Sequence, residues 1–201
     1  MGLTVACVLR SGGTYRPSDV AILRDQVAAH LDDHEFICLS DVDVPCERIA
    51  LQHGWPGWWS KIELFRLPPP VLFFDLDTMI VGSLAAIAAE ADKWQFTMLQ
   101  DFYRETGLGS GMMAWGVPMD ALYAKFVEDD PRGWMEKCDS AGDQFFIELN
   151  VNHSGVKRWQ DVLPGQVVSY KAHVKGKGVP KDARVVCFHG RPKPRDIGWK
   201  L

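Results

Sequence analysis

Cysteine is sparse in this chain, five in 201 residues, and Cys7, Cys38, Cys46, Cys138 and Cys187 are scattered, odd in number and without a Cys-x-x-Cys pair. That argues against a secreted disulfide scaffold and fits a reducing, cytoplasmic setting, with the thiols acting as small buried hydrophobes. Long apolar runs are missing too. The best, Val71 to Phe74, stops at a carboxylate, far short of the roughly 18 residues a bilayer span needs. Met1 to Leu9 has neither a basic n-region nor a long apolar h-region, so no signal peptide is expected. Excess positive charge is absent: 22 Lys plus Arg stand against 26 Asp plus Glu, a net charge of −4. Such a chain is not built to wrap nucleic acid, although local basic groups still suffice to hold one phosphate. There is no internal repeat and no low-complexity tract. With 47% hydrophobic and 24% charged residues, this is an ordinary globular chain of one-domain length, able to bury a core without staples.

What is present alternates between two grammars. Leu3–Leu9 is a β-branched run stopped by Ser11-Gly12-Gly13 and reads as a buried strand. From Pro17 to Leu31, apolar Val20, Leu23, Val27 and Leu31 recur at helical spacing, starting near Ser18 or Asp19. Glu35–Leu39 is the next strand. Strand, helix, strand is the order of a parallel sheet with crossover helices. Residues 40–58, broken by Pro45, Gly54, Pro56 and Gly57, read as a long irregular loop of the functional kind. Further helices are expected at 59–67, 83–91, 118–127 and 142–149, and strands at 71–74, 95–99, 109–115, 166–170 and 184–188. The expectation is a single α/β domain over residues 1–201.

The sharpest local signal is VLFFDLDTMIVGS, residues 71–83. Four apolar residues carry the chain through the core, then Asp75 and Asp77 emerge at its edge, where ligands of α/β sheets gather. Side chains two apart on an extended segment face the same way, so both carboxylates can converge on one cation. Mg²⁺ or Mn²⁺ suits such hard oxygens better than zinc. An Asp pair that merely caps a loop is the plainer reading. Haloacid-dehalogenase-type phosphatases carry a similar signature with the first Asp as nucleophile, but theirs has Gly before the Thr and sits on the first strand. In GT-A fold glycosyltransferases both Asp residues hold a divalent metal on the diphosphate of a nucleotide sugar.

The C-terminal segment weighs between the two. Residues 185–194 read VVCFHGRPKP, a strand followed by His189-Gly190 and by Lys193 between prolines. Together with Asp75-x-Asp77 this resembles the family 8 glycosyltransferases, of the glycogenin and bacterial galactosyl- and glucosyltransferase type. The resemblance implies a GT-A type mixed, mainly parallel central sheet with flanking helices, a nucleotide-binding half over 1–100 and a sugar and acceptor half over 101–201. It implies that Asp75, Asp77 and His189 hold Mn²⁺ or Mg²⁺, the neutral imidazole completing the site. Gly190 would admit close backbone approach, and Lys193 would offer a point charge to phosphate.

Further segments fall in the family's order. The stretch from Trp59 to Phe65 puts Lys61 where the family has a donor-contacting lysine, though a solvated helix charge explains it as well. Gly109-Ser110-Gly111-Met112-Met113 resembles the segment lining the sugar pocket, with Gly111 at the donor and Gly109 where Asn is usual. Gly142-Asp143-Gln144 opens a helix; by resemblance Asp143 binds sugar hydroxyls and Gln144 approaches the anomeric carbon, while a helix cap accounts for Asp143 equally. Asp101 is matched to another sugar-binding Asp, and Leu76 to a donor contact between the two aspartates. Leu9, Arg10, Ser11 and Tyr15 occupy the base-binding turn after the first strand, with Tyr15 either stacking on uracil or serving as an ordinary loop aromatic.

The activity so implied is a metal-dependent, retaining transfer of glucose or galactose from a UDP-sugar to an acceptor of unread identity, be it glycan, small molecule or protein. No nucleic acid and no membrane span enter it. A phosphatase using Asp75 as nucleophile and Asp77 as acid/base, and a non-catalytic nucleotide-sugar binder, stand as alternatives. Among eight tryptophans, Trp94 and Trp115 are assigned to the core and Trp55 and Trp58 to the acceptor side.

Overall fold

The computed structural model describes residues 2–93 and 95–199, with Ser140 through its backbone alone; Trp94, assigned to the core from sequence, lies outside them. The first strand, β1 (Leu3–Leu9), pairs in parallel with β2 (His34–Ser40) from Leu3 opposite His34 to Leu9 opposite Ser40. Between them runs α1 (Pro17–His30), which buries Val20, Leu23 and Val27 as its spacing requires. Its first turn is closed by the Asp19 carboxylate, which accepts from the Arg16 backbone N–H at 2.7 Å, an acidic group at the positive end of the helix. On the other side of β1 lies β4 (Val71–Phe74), also parallel.

The expected irregular stretch at 40–58 contains a short strand, β3 (Glu47–Ala50), laid parallel on β2 at the sheet edge. Its sequence, ERIA, is largely exposed and lacks an apolar run. Pairing recruits it, and charged residues suit an open edge. Gly57–Arg66 is a 3₁₀ helix in which every residue from Trp59 to Phe65 is buried.

The rest of the sheet comes from β6 (Phe96–Gln100), β7 (Leu108–Trp115) and β8 (Val156–Arg158). The order is β3-β2-β1-β4-β7-β6-β8, with β7 antiparallel to both neighbours and every other pairing parallel. The mixed, mainly parallel sheet is thus the expected one. A second sheet of three strands joins β5 (Thr78–Ile80), β10 (Val185–Cys187) and β9 (Val167–Ser169), in the order β5-β10-β9. The helices are completed by α2 (Ala85–Ala91), α3 (Asp120–Glu128), α4 (Pro131–Cys138), α5 (Gly142–Asn150) and the single turn α6 (Trp159–Val162). Among these, β5, β8, α4 and α6 go beyond the elements read from the sequence.

Strand alternation sorts the core into two faces. Val5, Cys7, Leu72, Phe74, Met112 and Ala114 point toward α1 and α2, while Ala6, Val71, Phe73, Met113 and Trp115 point toward α3, α5 and the 3₁₀ helix. Trp115 is fully buried, as expected, and so is most of the cysteine complement: Cys46 alone is half-buried, and all five thiols are free. Among the described residues, no helix is long and apolar enough to cross a membrane.

Candidate active site

The strand β4 delivers its carboxylates differently from the expectation of an extended Asp-Leu-Asp. The Asp75 N–H donates to the Gly111 carbonyl at 2.9 Å, the last contact with β7. The chain then turns, Thr78 N–H donating back to the Asp75 carbonyl at 3.0 Å, and enters β5 in the second sheet. Asp75-Leu76-Asp77 is therefore a turn where two sheets meet, and the turn, rather than strand alternation, brings both carboxylates and Leu76 to one cavity of about 670 Å³. That volume is of ligand-binding size, within the usual span of about 300–1,000 Å³. Gly111 faces Asp75: a Cβ there would sit 3.5 Å from Oδ2.

Two lysines serve the turn from opposite sides. Lys61, on the 3₁₀ helix, is buried, which removes the solvated-charge reading. Its Nζ lies 3.3 Å from Asp75 Oδ2 and 3.1 Å from Asp143 Oδ2, and donates to Ser110 Oγ at 3.1 Å. Burial alone would lower the Lys61 pKa, but Asp143 and Asp75 outweigh it and hold the ammonium charged, above its ordinary value. Asp143 makes no helix-capping hydrogen bond; it is 4% exposed and spends its charge on Lys61. Lys193 reaches Asp77 Oδ2 at 2.5 Å from a position 116 residues away, and its ammonium lies 5.3 Å from the Tyr15 ring centre. Burial pushes the Asp75 carboxyl up to about 7; Lys61 opposes this, while Asp77 and Asp143 add to it. Burial, then Asp77 and Asp75, likewise raise the Tyr15 hydroxyl far above its usual range.

The sugar-facing candidates also meet. Asp101 accepts from the Tyr103 N–H at 2.8 Å, Arg104 Nε at 2.9 Å and Gln144 Nε2 at 3.0 Å. Partial burial works against its charge, but the Tyr103 and Arg104 donors win and hold its carboxyl below the ordinary range. Gln144 Oε1 lies 3.7 Å from where a Cβ at Gly109 would sit, with Leu99 Cβ at 3.2 Å, so the backbone of β7 closes on Gln144 at this glycine. His189 follows β10. Its Nε2 is 2.7 Å from Ser169 Oγ, and its ring stacks on Phe102 at 5.2 Å. Burial and the Lys171 ammonium lower its pKa, so the imidazole is neutral at pH 7. Ser169, Phe102 and Tyr103 carry no sequence signal of their own and become visible once β9, β10 and the segment after β6 are placed together.

Two expected donor residues fall elsewhere. Leu9 is buried in the core face toward α1, and its neighbours Val8 and Arg10 line the cavity in its place, as alternation along a strand requires. Ser11 turns away from the cavity, its N–H and Oγ donating to Asp41 at 2.8 and 2.5 Å. Arg10, Tyr15, Lys61, Asp101, Asp143, Gln144, His189, Gly190 and Lys193 all line the cavity. Trp58 lines it too, whereas Trp55 is core: it stacks on His53 at 4.0 Å and meets Phe126 edge-on at 4.8 Å.

Asp75, Asp77 and His189 share one cavity, and two carboxylates with a neutral imidazole have the chemistry of a Mn²⁺ or Mg²⁺ donor set. Around the turn, three carboxylates (Asp75, Asp77, Asp143) face two ammonium groups (Lys61, Lys193). With two ammonium groups for three carboxylates the turn is one positive charge short, and Asp75, its side chain 33% exposed on the cavity, leaves an oxygen open to a divalent cation. Among the described residues, no three His, Cys, Asp or Glu side chains have converged into metal-holding geometry; Asp77 pairs with Lys193 and His189 with Ser169 instead.

No protein-family model matches the sequence, and no curated protein is detectably similar to it. Solved structures are. The glycosyltransferase GlyE of Streptococcus pneumoniae TIGR4 aligns with a TM-score of 0.65 at 10% identity, over 95% of this chain and 55% of that one. The chain thus spans about half the length of GlyE. The galactosyltransferase LgtC, solved with donor and acceptor sugar analogues, aligns at 0.60 and 13% identity, over 95% and 88%. Mouse xyloside xylosyltransferase 1 aligns at 0.55 and 11% identity, over 92% and 96%. The mixed, mainly parallel sheet and flanking helices of this chain are the GT-A type fold that these glycosyltransferases share.

Proposed function

We propose that this protein is a metal-dependent, retaining glycosyltransferase that moves a hexose, glucose or galactose, from a UDP-sugar to an acceptor hydroxyl. The observation that most supports it is the meeting of Lys193 with Asp77 across the cavity, which folds the C-terminal His-Gly segment onto the Asp-x-Asp turn. A phosphatase built around Asp75 has no use for that segment. Mn²⁺ or Mg²⁺ held by Asp75, Asp77 and His189 would supply positive charge against the leaving diphosphate. Lys193 gives its ammonium to a phosphate oxygen once Asp77 has another partner, stabilising the charge that builds on departure. Lys61 stays in place and keeps Asp75 and Asp143 in fixed orientation. Asp101 holds the Gln144 carboxamide by its Nε2, which aims the other end, Oε1, toward the donor sugar, and Asp143 engages sugar hydroxyls. The acceptor oxygen then bonds the anomeric carbon from the face on which the diphosphate leaves, its proton passing to the departing phosphate oxygen, with retention of configuration.

The test is a thermal-shift panel of nucleotide sugars with and without Mn²⁺. UDP-glucose or UDP-galactose at about a hundred times its Kd stabilises the fold by about 2.7 kcal/mol, read as a Tm rise of roughly 5–10 °C in a chain of this size. The absence of any shift with UDP-sugar plus metal overturns the reading. NMR of the first-formed product checks stereochemistry, and an inverted anomer removes the retaining mechanism.

A further inference from the structure

Contacts across the cavity link its charged groups in a chain. Tyr15 lies under the Lys193 ammonium, Lys193 binds Asp77, the turn leads to Asp75, Asp75 shares Lys61 with Asp143, and Asp143 follows Gly142 at the start of α5. At Gly142 that chain of contacts reaches an indole. A Cβ built at Gly142 would fall 2.2 Å from Trp58 Nε1 and 2.6 Å from its Cδ1, and the backbone there has φ of +61°. Only glycine allows the pyrrole edge of Trp58 to rest against the first turn of α5. Held this way, Trp58 still leaves 51% of its surface exposed while lining the cavity. A large apolar side chain kept half in water and fixed against a glycine, next to Asp143 and Gln144, is not explained by packing.

We propose that Trp58 is the acceptor platform, and that the acceptor it receives is a saccharide whose pyranose C–H face stacks on the indole while its attacking hydroxyl points toward Gln144. This rests on the transferase reading above. With Tyr15 and Lys193 serving nucleoside and diphosphate and Asp143 the donor sugar, the cavity wall at Trp58 is left to the acceptor. The chemistry there suits a neutral polyol: Asp143 and Gln144 follow Gly142 on α5 and line the same cavity, and a carboxylate and a carboxamide exchange hydrogen bonds with hydroxyls. Tyr103, the other exposed aromatic on the cavity, meets His189 edge-on at 5.1 Å and so belongs to the diphosphate side.

The experiment uses the full chain labelled with 5-fluorotryptophan, the Trp58 resonance being assigned by its loss in Trp58→Phe. Protein with Mn²⁺ is titrated first with UDP and then with a panel of methyl pyranosides, lactose and maltose. The Trp58 resonance is expected to stay within its linewidth on UDP and to move on saccharide. Movement on UDP with none on any saccharide assigns Trp58 to the base and overturns the proposal; silence to every saccharide while UDP raises Tm overturns it too and leaves the transferase reading standing. If neither UDP nor UDP-sugar raises Tm, both fall together. For any saccharide that accepts, Trp58→Ala is expected to raise its KM about tenfold, the scale of a lost aromatic contact, and more than it raises the donor KM. Trp58→Tyr restores most of the loss. Equal rises in both KM values mark a merely structural role and overturn the proposal.

Discussion

Lys61 is a full charge with almost no water around it, held because two carboxylates and a hydroxyl surround it. Replacing it as Lys61→Met keeps the volume and removes the counter-charge from Asp75 and Asp143. Breaking a buried pair from one side typically costs about 3–5 kcal/mol; urea denaturation at pH 7 without metal should show a loss of that order, and added Mn²⁺ should recover part of it. Lys193 is the contrasting case, since its partner Asp77 is the expected metal ligand. Lys193→Ala should tighten Mn²⁺ binding in calorimetric titrations without nucleotide, because the ion no longer competes with an ammonium. The same variant should shrink the Tm rise given by UDP plus Mn²⁺. At this scale the sequence was informative about chemistry and silent about partners. Asp75 and Asp77 announce themselves by type and spacing, but nothing in the row of letters says that Lys61 would be buried between Asp75 and Asp143, because that depends on a 3₁₀ helix that buries every residue from Trp59 to Phe65.

Among the elements, the turn after β1 is clamped from β2. Asp41 ion-pairs with Arg10 at 3.0 Å and accepts twice from Ser11, so it shapes the loop between Arg10 and Tyr15 without touching the cavity. Burial would raise its pKa, yet the Ser11 hydrogen bonds and Arg10 together bring it below the usual 3.8. A carboxyl with a lowered folded pKa contributes stability that is complete above the unfolded value and is lost as pH falls through the folded one. Asp41→Asn should therefore lower Tm at pH 7 by a few degrees, about 1 kcal/mol for a partly exposed clamp. The difference from wild type should close as scans are taken below pH 3.8. Elements with an intrinsic pattern were legible: β1, β4 and α1 lie almost where their apolar spacing puts them. Those that owe their conformation to a neighbour were not. β3 and β8 are short edge strands with exposed, charged sequences, and they are strands only because β2 and β6 offer open backbone groups beside them.

For the whole molecule, alternation of strand and helix sufficed to announce an α/β sheet, and the separation of its core into two faces follows from strand period alone. The second, three-stranded sheet was harder to see, since its middle strand joins a neighbour about 100 positions away: Thr78 pairs with Cys187, which pairs on its other side with Ser169. That small sheet also sets the order in which a newly made chain acquires its parts. By Arg158, the last residue of β8, every strand of the large sheet has been synthesised. The cavity still lacks Phe188, His189 and Lys193, and β5 still lacks β10, the strand it pairs with. On a ribosome that releases residues in sequence, the aspartate turn is therefore exposed first and furnished last, and the protein carries its architecture before it carries its chemistry.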